Sequence, residues 1–243
     1  MANSRSGESV LDRVMRVLDV VADTDGLTPT QLADAAGLPR TSGYRLISDL
    51  TSRGLLHRTD TGTVEPGHRL WELGQRTGLS RTLRHTALPF MQDVNAVVQQ
   101  TTQLSILNPE GVLIVERLSR HGAVTNPAEV AGIMPAHHTS MGHVLLAFGS
   151  ADRTQEWLTT HWETVAAERP TLRDELAQTR DRGFARLNGL IDPETTGVTV
   201  PVLNRRRQAE AALTAVVPRD SPAIPQVLMA LQTAGHGIAR ALQ

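Results

Sequence analysis

The feature that most limits this chain is a glycine set between two short amphipathic segments. In "TPTQLADAAGLPRTSGYRLISDL" the spacing predicts a helix from Pro29 to Ala36, capped by Thr28, with Leu32, Ala33 and Ala36 turned inward. Gly37 stops it, and a second helix opens at Pro39, where Leu46, Ile47 and Leu50 form a narrow apolar stripe. Two short helices joined by a glycine-containing turn of this length make a helix-turn-helix. A further helix is expected before them. Val10, Leu11, Val14, Val17, Leu18 and Val21 follow helical spacing, Ser9 is a suitable N-cap, and Asp25-Gly26 marks the end.

The helix after Gly37 carries Arg40, Thr41, Ser42, Tyr44 and Arg45 around its first turn and a half. A helix that only supports a core does not need that set, whereas one that meets an anionic groove does. Net charge gives no such signal, because 24 basic residues face 25 acidic ones. Any anion-binding surface must therefore be a local patch. Between Ala36 and Arg58, four arginines accompany a single aspartate. Every basic residue is arginine, which reads as the compositional bias of a GC-rich genome.

After Gly54, "LLHRTDTGTVEP" has the pattern of a small hairpin turning at Thr-Asp-Thr-Gly. A helix-turn-helix followed by a hairpin is a winged helix, whose recognition helix enters the major groove while the wing follows phosphates. On this reading Thr41, Ser42, Tyr44 and Arg45 are candidates for base edges or adjacent phosphates, and Arg40, His57 and Arg58 for phosphates. The same fold also serves as a protein-interaction module, so the pattern alone leaves both partners open.

Several functions are disfavoured. With no cysteine there is no disulfide, thiolate nucleophile or Cys-ligated zinc. Aromatic residues are only 3% of the chain, too few for stacking platforms on single strands or RNA. "MANSRSGESVLDRV" lacks a signal-peptide apolar core, and no apolar run approaches the ~20 residues of a membrane span, so a soluble cytoplasmic protein is expected. There is no Gly-x-Ser-x-Gly elbow, His-Glu-x-x-His pair or Gly-rich phosphate loop. No catalytic residue and no cofactor are expected. His137, His138 and His143 raise the question of a metal, but in one helix His137 and His143 would lie about 120° apart. The expectation is no metal, with His137 capping or packing and the other two solvated.

Beyond residue 85 the pattern mixes helices and hairpins. A helix is expected from near Pro89, with Phe90, Met91, Val94, Val97 and Val98 as its stripe, and Asn108–Gly111 reads as a hairpin turn. "TLRDELAQTRDRGF" is an amphipathic helix capped by Thr171 and stopped by Gly183. "GVTVPVL" and "EAALTAVV" are strands, and the chain closes on a helix. The fold class is α+β.

The stretches "LADAAGLPRTSGYRLISDL", "GLLHR" and "VEPGHRLWELG" resemble the DNA-binding domain of the IclR family of bacterial transcriptional regulators. The chain departs from that pattern at Gly43, where a larger apolar residue is usual and where glycine costs a helix about 1 kcal/mol relative to alanine. It also departs at Val64 and Pro66 in the wing. More loosely, "MPAHHTSMGHVLLA" and "TLRDELAQTRDRGFA" are similar to segments of the family's C-terminal domain, with His143 where lysine is usual. The resemblance implies a GAF-like domain in which a curved antiparallel sheet holds a small organic effector. By the motif match, Ser140 and Met141 fall on the loop closing over that effector, and Val200, Thr214 and Val216 on the sheet positions lining its pocket. Met141, Val200 and Val216 suggest an aromatic or otherwise larger ligand.

The expectation is thus a winged helix-turn-helix over residues 8–68, a linker helix over 69–84, and an effector-binding and oligomerisation domain over 85–243. The partners would be double-stranded DNA, a small-molecule effector and further copies of the chain, as homodimer or homotetramer, with no membrane. The rival readings are a cytoplasmic enzyme using the winged helix as an interaction module, and a DNA-binding protein without an effector.

Overall fold

The structure, a computed structural model, describes residues 8–124 and 126–243. The seven N-terminal residues, read above for a signal-peptide core, lie outside the described residues. Two compact units divide between Thr77 and Gly78.

The first unit contains α1 (Val10–Asp23), α2 (Pro29–Ala35), α3 (Arg40–Ser52), β1 (Leu56–Arg58), β2 (Val64–Pro66) and α4 (His68–Gln75). Local sequence sets its helix starts. Ser9 and Asp12, and then Thr28 and Gln31, exchange side-chain and backbone hydrogen bonds as reciprocal capping boxes. Gly37 turns the chain at φ +63°, a conformation glycine adopts without steric penalty. Val17, Val21, Leu32, Ile47, Leu50, Leu56 and Val64 form the core. Gly43 belongs to that core. A Cβ added there would stand 2.7 Å from the Ala33 Cβ and 3.2 Å from that of Leu38. The glycine is what lets α3 lie this close to α2.

The expected linker helix over 69–84 is divided. α4 ends at Gln75, and a π-helical stretch, Leu79–Arg84, runs directly into α5 (His85–Val98). Pro89 does not begin α5 as expected but lies within it, where its missing N–H removes one interior hydrogen bond.

The second unit continues with β3 (Thr101–Asn108), β4 (Gly111–Leu118), β5 (Ile133–Met134), a 3₁₀ turn at Ala136–His138, α6 (Ser140–Ala147), α7 (Ala151–Thr160), α8 (Trp162–Glu168) and α9 (Leu172–Arg182). It ends with β6 (Ala185–Asn188), β7 (Thr195–Leu203), β8 (Ala209–Pro218) and α10 (Ile224–Ala241). The strands form one antiparallel sheet in the order β5-β4-β3-β8-β7-β6. Register shifts at Leu104/Ser105 and Val202/Leu203 bend it.

Strand alternation gives the sheet two different faces. Val198, Val200, Val202, Leu213, Ala215 and Val217 pack with Met91 of α5 and Leu231 and Ile238 of α10. On the opposite face, Ile114 and Ala212 pack with Met141, Val144 and Leu145 of α6. The opposite face also carries a row of polar side chains, and there the second candidate site lies.

Candidate functional site

On α3, the buried positions Gly43, Ile47 and Leu50 define the inward side. At 100° per residue, Thr41, Tyr44, Arg45 and Ser48 fall within an arc of about 100° on the outward side. All four are exposed, Tyr44 at 52%. Ser48 was absent from the sequence-derived set, although the same helical period selects it. Ser42 and Arg40 lie on the flanks. The Ser42 hydroxyl donates to the Pro39 carbonyl at 3.1 Å. The Arg40 guanidinium donates to both carboxylate oxygens of Asp34 on α2, at 3.3 and 3.1 Å.

The wing separates two residues that sequence reasoning had grouped. Arg58 pairs with Val64 across β1 and β2, and both line a groove with Tyr44, Ser48 and Ser52 of α3. His57 pairs with Glu65, so alternation puts it on the other face of the hairpin. It does not join the α3 surface.

The second site is a cleft over the polar face of the sheet. Gln103, Thr214, Val216 and Gly197 form its floor; Thr139, Ser140 and Met141 at the start of α6 form one wall. Leu187, Leu190, Ile191 and Asp192 form another wall, and Asn126 and Pro127 lie at its edge. The cleft holds about 500 Å³ of empty space out to its open mouth, yet the centre of a water-sized sphere can move through only about 50 Å³ of it. It is a narrow slot.

Sheet register builds the floor. Gln103 lies opposite Thr214 across β3 and β8, and Thr214 opposite Thr199 across β8 and β7. Ser140 Oγ stands 2.8 Å from Thr199 Oγ1, which is 2.9 Å from Thr214 Oγ1. That approach requires Gly197, because a Cβ there would come within 2.5 Å of Ser140 Oγ. Gln103 is fully buried, and neither atom of its amide has a hydrogen-bond partner; Asn126 Nδ2 is likewise unpaired. Helix α6 begins at the cleft, with Thr139 capping it by accepting from Gly142 N–H at 3.1 Å. The N–H groups of Ser140 and Met141 have no intrahelical acceptor and lie at the positive end of the helix dipole.

Four of the five expected effector residues, Ser140, Met141, Thr214 and Val216, line this cleft. Val200 does not. It shares a strand with Gly197 but points to the other face, where a Cβ on Gly235 of α10 would lie 3.2 Å from its Cγ2. Gln103 and Asn126 were missed. For Gln103 a signal existed, since Gln103 and Ser105 alternate with Leu104 and Ile106, putting amide and hydroxyl on one face of a buried strand.

Of the three histidines, His137 is buried as expected, whereas His143 departs from expectation. His143 is 1% exposed rather than solvated, with its Nε2 3.1 Å from the His137 carbonyl oxygen. Burial pushes its pKa below the ordinary histidine value, outweighing the His137 hydrogen bond and the nearby Glu175 carboxylate, which raise it. His137 and His138 sit on the 3₁₀ turn, and both Nε2 atoms meet one oxygen of Glu168, at 2.8 and 2.9 Å. Hydrogen bonds from the two rings hold the Glu168 carboxyl below its usual range. The three donor atoms lie within 4.8 Å of one another, a spacing that could hold a metal ion.

Comparison with known proteins decides the family. The IclR helix-turn-helix domain matches residues 10–60, and the bacterial transcriptional regulator IclR C-terminal domain matches residues 77–238. The chain belongs to the IclR family. It is a transcriptional regulator with an N-terminal helix-turn-helix and a C-terminal effector-binding domain built on a curved antiparallel sheet. An IclR homologue from Microbacterium hydrocarbonoxydans, solved in complex with 4-hydroxybenzoate, is 35% identical, with a TM-score of 0.85 over 96% of this chain and 99% of that one. The regulator XynR of Escherichia coli is 26% identical over 96% of each chain. The glycerol operon regulatory protein of Streptomyces coelicolor is 25% identical over 96% of this chain and 95% of its own. No helix among the described residues is long and apolar enough to cross a membrane.

Proposed function

We propose that this regulator is a cytoplasmic repressor, not an enzyme, whose cleft takes a small aromatic acid of the hydroxybenzoate class. The observation that carries the ligand reading is the Gln103 amide, buried and unpaired on the floor of a slot. A buried amide left without partners costs about 1–3 kcal/mol, a penalty that a polar ligand removes. This favours a ligand site over the effector-free reading. The slot shape suits a flat ring, and Met134, Met141, Leu187 and Val216 supply apolar contact. A carboxylate is matched by the start of α6 and a hydroxyl by the Gln103 amide. The relative solved with 4-hydroxybenzoate supports the same class.

A dry cavity of about 150 Å³ accommodates benzene, so the roughly 50 Å³ open here is less than a ring needs. Ligand entry therefore moves the turn carrying Leu190 and Ile191, side chains already 38% and 39% exposed. The cleft hydroxyls bond one another, Ser140 to Thr199 and Thr199 to Thr214, and among the described residues none of the three hydrogen-bonds to an imidazole or carboxylate that would activate it as a nucleophile. That supports the non-enzymatic reading.

On DNA, Thr41, Tyr44, Arg45 and Ser48 would meet base edges or adjacent phosphates, with Arg58 and Arg40 on phosphates. A symmetric homodimer, or a tetramer of two such dimers, would read an inverted repeat. The effector would act by favouring one conformation over another of different operator affinity. The test is selection of duplexes from a random pool, followed by titration of the enriched complex with 4-hydroxybenzoate, benzoate and acetate. An inverted repeat released by the aromatic acids and not by acetate is expected. Enrichment without any inverted repeat would sink the symmetric-operator reading, and release by acetate alone would sink the aromatic class.

A further inference from the structure

We propose that His137, His138 and Glu168 bind one divalent transition-metal ion of the zinc, cobalt and nickel class at the edge of the cleft. The three ligands come from two elements. The 3₁₀ turn presents both rings, and Glu168, the last residue of α8, comes to meet them. Helical phase, which separates His137 from His143, does not govern this group, because the third donor lies about thirty residues further along the chain and the turn is not α-helical.

The turn is fixed from three sides. The His143 ring holds the His137 carbonyl at 3.1 Å, and the Thr139 hydroxyl donates to the Pro135 carbonyl at 3.1 Å. Gly142 lets α6 press against it, since a Cβ there would come within 2.0 Å of the Ala136 carbonyl oxygen. The rings are thus held by their backbone rather than by the carboxylate alone.

Charge also points to a cation. Glu168 stands at the C-terminal end of α8, where the helix dipole disfavours an anion, and the last turn of α8 contains no basic residue. Its neighbour Arg169 is turned to Glu175 instead, at 2.9 Å. Two neutral imidazoles donating N–H groups to one oxygen bring no net positive charge. A divalent ion would bind both Nε2 lone pairs once each ring carries its proton on Nδ1 instead, and would give Glu168 the cation it lacks.

Donor chemistry selects the metal. Two imidazoles and a carboxylate suit borderline transition metals, whereas magnesium and calcium favour all-oxygen sites. With metal–ligand bonds of about 2.1 Å, neighbouring tetrahedral ligands stand about 3.4 Å apart. The present separations of 2.8 and 2.9 Å need only a small widening. Glu168, with its side chain 50% exposed, is free to supply it, while His137 at 9% stays put. Three protein ligands leave a coordination position open, and His138 is itself a lining residue of the cleft.

The test uses the untagged full-length chain, stripped with a chelator and titrated with cobalt(II) chloride by visible absorption, then with zinc(II) chloride by competition. One ion per chain is expected at sub-millimolar metal, with cobalt bands of low coordination number displaced by zinc. Glu168→Gln and His138→Gln should each weaken binding at least about tenfold, while His161→Gln should not. No effector or DNA is present, so the result stands apart from the ligand reading above. Failure of the parent chain to saturate at one ion, or unchanged binding in both ligand variants, overturns the site.

Discussion

On α3, Thr41, Tyr44, Arg45 and Ser48 are drawn from eight consecutive residues and stand in solvent. In the cleft, Gln103, Ser140, Gly197 and Thr214 come from four separate elements and are brought together by strand register and one close helix approach. The α3 residues have freely hydrated polar groups, whereas the cleft contains a fully buried amide with nothing to bond. A solvated surface is therefore energetically indifferent to its own side chains until DNA arrives, while the cleft carries its ligand requirement as a standing destabilisation.

That contrast can be broken experimentally. The largest effect is expected at Arg45→Ala, which should weaken operator binding by about 10- to 100-fold, the ~1–3 kcal/mol of a base or phosphate contact. Its melting temperature and its affinity for 4-hydroxybenzoate should match the parent. A clear loss of thermal stability would mean that the α3 face is structural. Next, Gln103→Leu should weaken 4-hydroxybenzoate binding roughly tenfold while leaving the urea midpoint unchanged or higher, because removing an unpaired buried amide relieves its penalty. Unchanged calorimetric affinity would exclude Gln103 as an anchor.

Two smaller effects sharpen the comparison. Gly43→Ala would gain about 1 kcal/mol if helix propensity alone ruled. The 2.7 Å approach to Ala33 makes overpacking, typically about 1–3 kcal/mol, the stronger term, so the first unit should lose stability on balance. A stabilised variant in denaturant unfolding would show that α2 and α3 yield easily. Least in size is a pH effect in the second unit. His143 has its pKa depressed by burial, so below about 6.5 the unfolded chain takes up a proton that the folded chain refuses. Its contribution is fully present above that pH and declines as pH falls. Urea midpoints measured from neutral to mildly acid pH should fall more steeply in the parent than in His143→Gln, and equal slopes would refute the assignment.

Elements governed by short-range rules were legible in the sequence. The caps at Ser9 and Thr28, the Gly37 turn, the hairpin at Asn108–Gly111 and the stop at Gly183 all follow from a few neighbouring residues. Facing was harder. Val200 sits on a correctly read strand, yet alternation turns it away from the cleft, and one residue of phase decides that. Gly43 looked like a defect in a helix because its reason lies in a neighbouring helix. Glu168 joins His137 and His138 only through tertiary packing, which no local periodicity encodes.

The floor of the cleft is a single sheet whose reverse side is the main hydrophobic core. Thr214 and Val216 alternate with Leu213 and Ala215, and Gly197 is followed by Val198. Evolution therefore has little freedom to reshape that floor, since a bulkier or shifted strand would disturb packing against α5 and α10. The rim is different: Leu187 to Asp192, Asn126 and Pro127 lie on an edge strand and loops and belong to none of the hydrophobic clusters. Diversification of ligand preference among descendants of such a chain should accumulate along that rim, over a floor that scarcely changes.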